Sequence, residues 1–156
     1  MSIQVNVGDH TSTVVGYISW PTSKRGLITW SRNKAKAIAK GMASANVYFR
    51  TLPDGKSLTA LLADRSIWIN YHATMNAYGE AIISGKELCV SVTACRIGKW
   101  TVLATLIHEL AHMNGAPGGA SKAAEEALLH TGLGKQSEKT TRVDDPNTPY
   151  DPNISG

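Results

Sequence analysis

The chain has 156 residues, of which 42% are hydrophobic and 18% are charged. A chain of this length can bury one hydrophobic core without the help of disulfides or structural metal ions. This composition excludes wholesale disorder, and the lack of any run of about eighteen apolar residues excludes a membrane-spanning helix. The formal net charge of +4 is mildly basic, but no stripe of interleaved basic and aromatic residues appears, so we do not expect nucleic-acid binding.

The N-terminal part of the chain predicts one or two short strands within residues 1–20. Its polar start, MSIQVNVGDHTST, lacks the apolar stretch of a secretory signal peptide, so we expect none. Apolar residues at helical spacing then predict a helix from Ser31 to Met42. The basic residues from Lys24 to Lys40 are interpreted as a solvated helix face.

The middle of the chain predicts strands. Two apolar runs, NVYFRTL and KSLTALLA, flank a Pro-Asp-Gly turn at residues 53–55 and predict a β-hairpin. Further strands are predicted at Ser66–Tyr71 and Glu87–Val92. Cys89 and Cys95 are too few for a disulfide scaffold, and we expect two buried free thiols.

The third part predicts two helices. Apolar residues recur at steps of three and four from Lys99 to His112, which indicates an amphipathic helix. A glycine-rich loop at residues 114–119 ends it, and the segment KAAEEALLH after Ser121 predicts a second helix. From Lys135 onward the chain is polar and proline-containing, with little expected helix or strand.

The first of these helices contains the sequence H-E-L-A-H. His108 and His112 are four residues apart, so both imidazoles lie on one helix face, one turn apart, where they can bind a single zinc ion. Glu109 reaches the open coordination position, where it can take a proton from water and pass it to a leaving amine. The pattern therefore predicts a catalytic zinc site.

A catalytic zinc needs a third protein ligand. Gly118 stands where one class of zinc peptidases has its third histidine, which excludes that class. The other large class takes a glutamate from the next helix, which here offers Glu125 and Glu126, pointing about 100° apart, so that only one can face the metal. His130 shares a helix face with Glu126 and is the remaining candidate.

The same region resembles a known family. HELAH, a short glycine-rich loop, EEALLHTGLG, SEKTTR and a late tyrosine look like the bacterial effector metallopeptidases of the NleD/HopH kind, over about residues 100–150. The resemblance implies that Glu126 is the metal-binding glutamate and that Tyr150 stabilises the oxyanion of the reaction intermediate. It matches Glu138 and Arg142 to an E-x-x-x-R pair of the family.

The resemblance also implies an α+β, zincin-like fold. A mixed or antiparallel sheet would pack on the HExxH helix and on a second ligand-bearing helix, and an edge strand beside the active site would pair with the substrate backbone. Glu87–Val92 is our candidate for that edge. We expect one catalytic domain over residues 1–156, with a helix and sheet half at 1–98, zinc-binding helices at 99–134 and a polar segment at 135–156.

The sequence thus predicts a zinc-dependent metallopeptidase with one Zn²⁺ per chain that hydrolyses a protein or peptide substrate. By resemblance it would be a bacterial effector or toxin, made in the cytoplasm without a signal peptide, delivered by a dedicated secretion system and paired with a cognate immunity or chaperone protein. A peptidoglycan endopeptidase or amidase with the same zinc site is the first alternative. A non-catalytic, zinc-stabilised interaction module is the second, and a basic nucleic-acid binder is the weakest.

Overall fold

The computed structural model describes residues 2–133, which form six α-helices and a four-stranded mixed sheet. The predicted α+β class is therefore confirmed. The strands are β1 (Gln4–Val5), β2 (Trp68–His72), β3 (Gly79–Ile82) and β4 (Glu87–Ser91). The helices are α1 (Arg25–Gly41), α2 (Ala43–Thr51), α3 (Leu58–Leu62), α4 (Val92–Ile97), α5 (Lys99–Met113) and α6 (Ala123–His130). None of these helices has the length and apolar character needed to cross a membrane.

The sheet has the strand order β1-β2-β4-β3. Strands β1, β2 and β4 run parallel, and β3 runs antiparallel to β4. The predicted strand at Glu87–Val92 exists, but its assignment as an edge strand is wrong. All five residues of β4 are buried. Its apolar centre, residues 88–90, is suited to an interior position covered on both faces, and Glu87 and Ser91 at its ends are satisfied by hydrogen bonds. The edge on that side is β3.

The predicted β-hairpin around residues 53–55 is also wrong. The turn is present, but the runs on either side of it form α2 and α3. Their buried apolar side chains recur at helical spacing, and the hydroxyl of Ser57 caps α3 by accepting a hydrogen bond from Ala60 N at 3.1 Å. The buried residues of these two helices are Ala45, Phe49, Leu58, Leu61 and Leu62.

Other boundaries differ from the predictions at the N-terminal end. Helix α1 begins at Arg25 rather than Ser31, because Ile28 in its first turns is fully buried. The strands predicted within residues 1–20 are reduced to β1 and a single bridge between Ile18 and Tyr71.

Helix α5 forms the centre of the core. Every residue from Thr101 to Ala111 is buried, and the helix packs against α1, α6, β3 and β4. The segment predicted to be amphipathic is thus covered on all sides. Because its second half carries the H-E-L-A-H sequence, the candidate catalytic residues lie in the interior of the protein, on its most enclosed helix.

Both cysteines belong to this core. Cys89 in β4 and Cys95 in α4 are buried, and neither forms a disulfide. Burial raises the pKa of Cys89 to about 12 and that of Cys95 to about 11. The thiols are therefore protonated at neutral pH and pack as small apolar side chains.

A buried polar network ties the N-terminal segment to the sheet through Glu87. Its Oε1 accepts hydrogen bonds from His10 Nε2 at 2.6 Å and Asn70 Nδ2 at 3.2 Å, and its Oε2 accepts one from Ser12 Oγ at 2.8 Å. The His10 ring also stacks on Trp68, with ring centroids 4.3 Å apart. Burial alone would raise the pKa of Glu87, but these hydrogen bonds outweigh it and hold that pKa below its usual range.

This network predicts a loss of stability in acid. A depressed carboxyl pKa contributes stability above the unfolded value of about 4.3, and that contribution disappears as the pH falls through the folded pKa. We expect Glu87→Gln to lower the free energy of unfolding by about 1–3 kcal/mol at neutral pH. The Tm of this variant should also fall less than that of the wild type as the pH is lowered. Thermal melts from about pH 7 to pH 3 measure both effects. The matched control is Glu126→Gln at an exposed site, and equal acid profiles for Glu87→Gln and the wild type would contradict this role of Glu87.

Candidate metal centre

The two histidines of the H-E-L-A-H sequence turn their imidazoles toward each other. The Nε2 atoms of His108 and His112 are 3.1 Å apart, and the rings meet edge to face with centroids 4.7 Å apart. Two imidazole nitrogens bound to one tetrahedral zinc at about 2.0–2.1 Å would lie about 3.3–3.4 Å apart. The spacing of the pair is therefore close to the one that a shared zinc ion requires.

The loop after α5 fixes the orientation of His112. Nδ1 of His112 donates a hydrogen bond to the carbonyl oxygen of Ala116 at 2.8 Å, which leaves Nε2 of the neutral ring unprotonated and directed at His108. The chain reaches this position through Gly115, whose φ of +94° lies in the left-handed region. A Cβ at Gly115 would also lie 2.8 Å from Pro53 Cβ. The glycine-rich loop thus supplies the backbone support that is common behind metal-binding histidines.

Asn114, which the sequence did not single out, anchors that loop. Its side chain is fully buried and donates from Nδ2 to the carbonyl oxygens of Phe49 and Lys56, both at 2.8 Å. Its Oδ1 accepts from Lys56 N at 3.1 Å. The end of α5 is therefore fastened to the turn between α2 and α3. An asparagine directly after a helix is a common helix ending, and only the tertiary contacts distinguish this one.

Glu109 is almost completely buried, with 1% of its surface exposed. Its Oε1 lies 4.0 Å from His108 Nε2 and has no hydrogen-bond partner among residues 2–133. Burial, and then the negative charges of Glu80 and Glu125, raise the pKa of Glu109 to about 8. An enclosed carboxyl group beside His108, with a raised pKa and an oxygen left for a further partner, has the arrangement expected of a group that accepts and returns a proton near neutral pH.

Strand β3 runs directly against Glu109. A Cβ at Gly79 would lie 2.6 Å from Thr105 Cγ2 and 3.3 Å from Glu109 Cγ, so only glycine allows the strand to approach α5 this closely. The next residue, Glu80, accepts a hydrogen bond from the hydroxyl of Tyr17 at 2.9 Å. The edge strand and the candidate general base are thus neighbours, whereas the sequence predicts no strand for the stretch around Gly79.

The two glutamates of α6 face in different directions. Glu125 is buried, with 9% of its surface exposed, and its Oε2 has no hydrogen-bond partner among residues 2–133. Its charge also contributes to the raised pKa of Glu109. Glu126, the residue predicted as the third ligand, is exposed. The assignment of a glutamate ligand stays a prediction, but the burial pattern favours Glu125 over Glu126.

Tyr48 of α2 sets the position of α6. Its hydroxyl donates to the carbonyl oxygen of Ala123 at 2.6 Å, and its ring stacks on that of His130 with centroids 4.4 Å apart. One side chain therefore contacts the first and the last residue of α6. His130 is exposed, and its ring is occupied by this stacking, whereas Glu125 between the two contacts is buried.

Not all predicted site residues are brought together. Among residues 2–133, no group of three or more His, Cys, Asp or Glu side chains is gathered closely enough to hold a metal ion as it stands. The histidines form a close pair, Oε1 of Glu109 lies 4.0 Å from His108 Nε2, and the charge of Glu125 acts on Glu109. The predicted oxyanion residue Tyr150 and the pair Glu138 and Arg142 lie outside the described residues.

Comparisons with known proteins do not assign the site. No protein-family model, no curated protein and no solved structure matches this chain. The functional argument therefore depends on the residues themselves: a pair of converging imidazoles, two enclosed carboxylates and a neighbouring edge strand.

Proposed function

We propose that this protein is a zinc-dependent metallopeptidase with a zincin-like fold, which hydrolyses a peptide bond in a protein or peptide substrate. The observation that carries the proposal is the convergence of the Nε2 atoms of His108 and His112 to 3.1 Å on a buried helix. A hydrogen bond between the rings has the same spacing, but a shared ion also accounts for the buried carboxyl group of Glu109 beside His108.

The chemistry of the donor atoms suits a zinc ion. The nitrogen of a neutral imidazole and the oxygen of a carboxylate are standard zinc ligands, and a catalytic site uses three of them. His108, His112 and Glu125 would hold the metal in this chain. Glu125 is preferred because it is the buried glutamate of α6 and has an unpartnered oxygen, which a cation would satisfy. When bound, zinc would supply Lewis acidity and lower the pKa of a water to about 7.

Glu109 then has two tasks in the reaction. As the general base it accepts a proton from the attacking water, and as the general acid it delivers that proton to the leaving amine nitrogen. Its burial excludes bulk solvent from the proton that it holds, and its unpartnered Oε1 is available for the exchange. The neighbouring histidines take no part in this proton transfer.

Strand β3 is the proposed binding edge for the substrate. It is the outer strand of the sheet on the side of α5, and Gly79 places it against Glu109. An extended peptide can pair with such an edge through main-chain hydrogen bonds, which bring its carbonyl groups past the general base. This geometry supports a polypeptide substrate. That the substrate belongs to another cell rests on the resemblance to effector peptidases alone.

Metal content tests the proposal most directly. Protein purified without a chelator and without a metal-binding tag should contain about one zinc per chain by elemental mass spectrometry. Added zinc should also raise the Tm of the metal-free protein, because a ligand that binds only the folded state stabilises it, by about 2.7 kcal/mol at 100 times its Kd.

Two histidine variants sharpen the result. His108→Ala removes one of the converging nitrogens and should contain no zinc, whereas His130→Ala, at an exposed site, should retain it. A wild-type protein that takes up no zinc even after incubation with the metal would overturn the proposal. Retention of a full zinc equivalent by His108→Ala would place the ion elsewhere.

A further inference from the structure

A cationic cavity lies at the opposite edge of the sheet. It has a volume of about 460 Å³ and is lined by residues 2–5 around β1, together with Arg32 of α1 and Arg65. Because β1 and β3 are the two outer strands of a four-stranded sheet, they are about 14 Å apart. The cavity is thus separate from the candidate metal centre. Among residues 2–133, no acidic side chain lines it.

The guanidinium groups at this cavity lack anionic partners. Nε of Arg32 is buried without a hydrogen-bond partner in the described part of the chain, and its Nη1 makes one long bond to the carbonyl oxygen of Ile3, at 3.4 Å. Arg65 is exposed, and only its backbone oxygen is bound, by Gln4 Nε2 at 2.7 Å. Within residues 2–133 neither arginine forms an ion pair. The cavity thus presents two guanidinium groups whose charges are not neutralised by an acidic side chain within these residues, which favours an anionic ligand.

Further positive charge adjoins the cavity along α1. Lys36 and Lys40 follow Arg32 at four-residue steps, so the three cations share one face of the helix. The ammonium group of Lys36 donates to Ser2 Oγ at the rim, and both lysines line a neighbouring cavity of about 300 Å³. Three residues of the basic stretch between Lys24 and Lys40, namely Arg32, Lys36 and Lys40, therefore line these two cavities.

We propose that this cavity binds a phosphate-bearing ligand, with the guanidinium groups of Arg32 and Arg65 on the phosphate oxygens. Guanidinium forks match phosphate geometry with paired hydrogen bonds, and a phosphate offers enough oxygens for two arginines that approach from different elements. The volume exceeds that of a bare anion and lies in the range of small-molecule sites. The ligand is therefore an organic phosphate, either a soluble ester or a lipid headgroup.

Calorimetric titration with glycerol phosphate tests the site, with glycerol as the uncharged control ligand. The wild-type protein should bind glycerol phosphate and not glycerol, and the affinity should fall as salt is added. Arg65→Gln, at an exposed position that should not affect folding, should weaken binding by about tenfold or more. The matched control Arg50→Gln, at an exposed arginine of α2, should bind as the wild type does.

The same titration with the His108→Ala variant tests whether the phosphate binds a metal ion at the candidate metal centre and not the cavity. Unchanged binding there supports the cavity and also makes the result independent of the zinc proposal. The inference is overturned if the wild-type protein fails to bind at millimolar concentrations, or if Arg65→Gln and Arg50→Gln bind equally well.

Sedimentation with vesicles distinguishes the two sources of phosphate. The vesicles contain phosphatidylcholine with or without phosphatidylglycerol. Association only with the anionic vesicles, weakened by Arg65→Gln, identifies a lipid headgroup, whereas glycerol phosphate binding without vesicle association identifies a soluble ester. Vesicle association that is insensitive to Arg65→Gln would contradict a role of this cavity in it.

Discussion

Replacement of Glu125 with alanine should weaken zinc binding by at least about 100-fold, while replacement of Glu126 should leave it within about twofold. Loss of a supporting residue behind a metal ligand costs about 10- to 100-fold in affinity, and loss of a ligand itself should exceed that. The expectation follows from the orientation of α6, on which Glu125 is buried with an unpartnered oxygen and Glu126 is exposed. The pair forms a matched experiment, because the two residues are adjacent, chemically identical and on the same helix.

Competition with a chromogenic chelator measures the zinc affinity of both variants. The melting temperatures of the metal-free proteins show whether either change disturbs the fold. If Glu126→Ala weakens binding and Glu125→Ala does not, the assignment implied by the family resemblance holds, and α6 must rotate when the metal binds. If neither variant weakens binding, the third ligand does not come from α6.

The sequence predicted the two helices around the candidate site, because the spacing of their apolar residues fits a helix and does not fit a strand. Apolar residues recur at steps of three and four from Val102 to Leu110, and a glycine-rich loop follows them. This pattern strongly predicts a buried helix that ends at the loop. The four-residue spacing of His108 and His112 then places both rings on one face. The placement of both rings on one face therefore follows from local rules, as does the helical form of KAAEEALLH. The orientation of the His112 ring depends in addition on its contact with the loop at Ala116.

Features that depend on long-range contacts could not be predicted in this way. The segment around Phe49 has β-forming residues and a turn after it, yet it is helical because Ala45 and Phe49 must face the core together. Strand β4 carries apolar residues on both faces, and this pattern alone does not reveal that β3 covers its outer side. Strand β3 begins at Gly79. Because glycine has no side chain, this residue gives no signal in the sequence that a strand starts there.

The choice between Glu125 and Glu126 shows the same limit within the site. Adjacent residues on a helix differ only by a rotation of about 100°, and the sequence contains no local signal that selects one. The rotation is set by the packing of α6 on α5, which buries Ala124, Ala127 and Leu128, together with the contacts of Tyr48 of α2 at Ala123 and His130. Because those contacts join segments far apart in the chain, the rotation of α6 is a tertiary property.

Replacement of Glu109 with glutamine should abolish turnover and leave the fold and the zinc content unchanged. Glutamine has nearly the same shape and fits the same enclosed space, but it cannot accept and return a proton. Removal of a general base costs about 100- to 10,000-fold in rate. Cleavage of a proteome-derived peptide library, followed by mass spectrometry, measures the rate across many candidate substrates at once. Purified peptidoglycan, incubated in parallel, tests the alternative substrate class.

The control is Glu126→Gln, which alters an exposed carboxylate and should cleave at the wild-type rate. If Glu109→Gln retains wild-type activity, the assigned role of this residue is wrong, whatever the metal content. If the wild-type protein cleaves peptidoglycan and no peptide, the same residues serve a cell-wall hydrolase. A zinc-containing protein that cleaves neither points to a zinc-stabilised interaction module. The enclosed carboxyl group of Glu109 beside His108 favours the catalytic outcome, because a purely structural zinc site does not require a second acidic group with an oxygen left unpartnered.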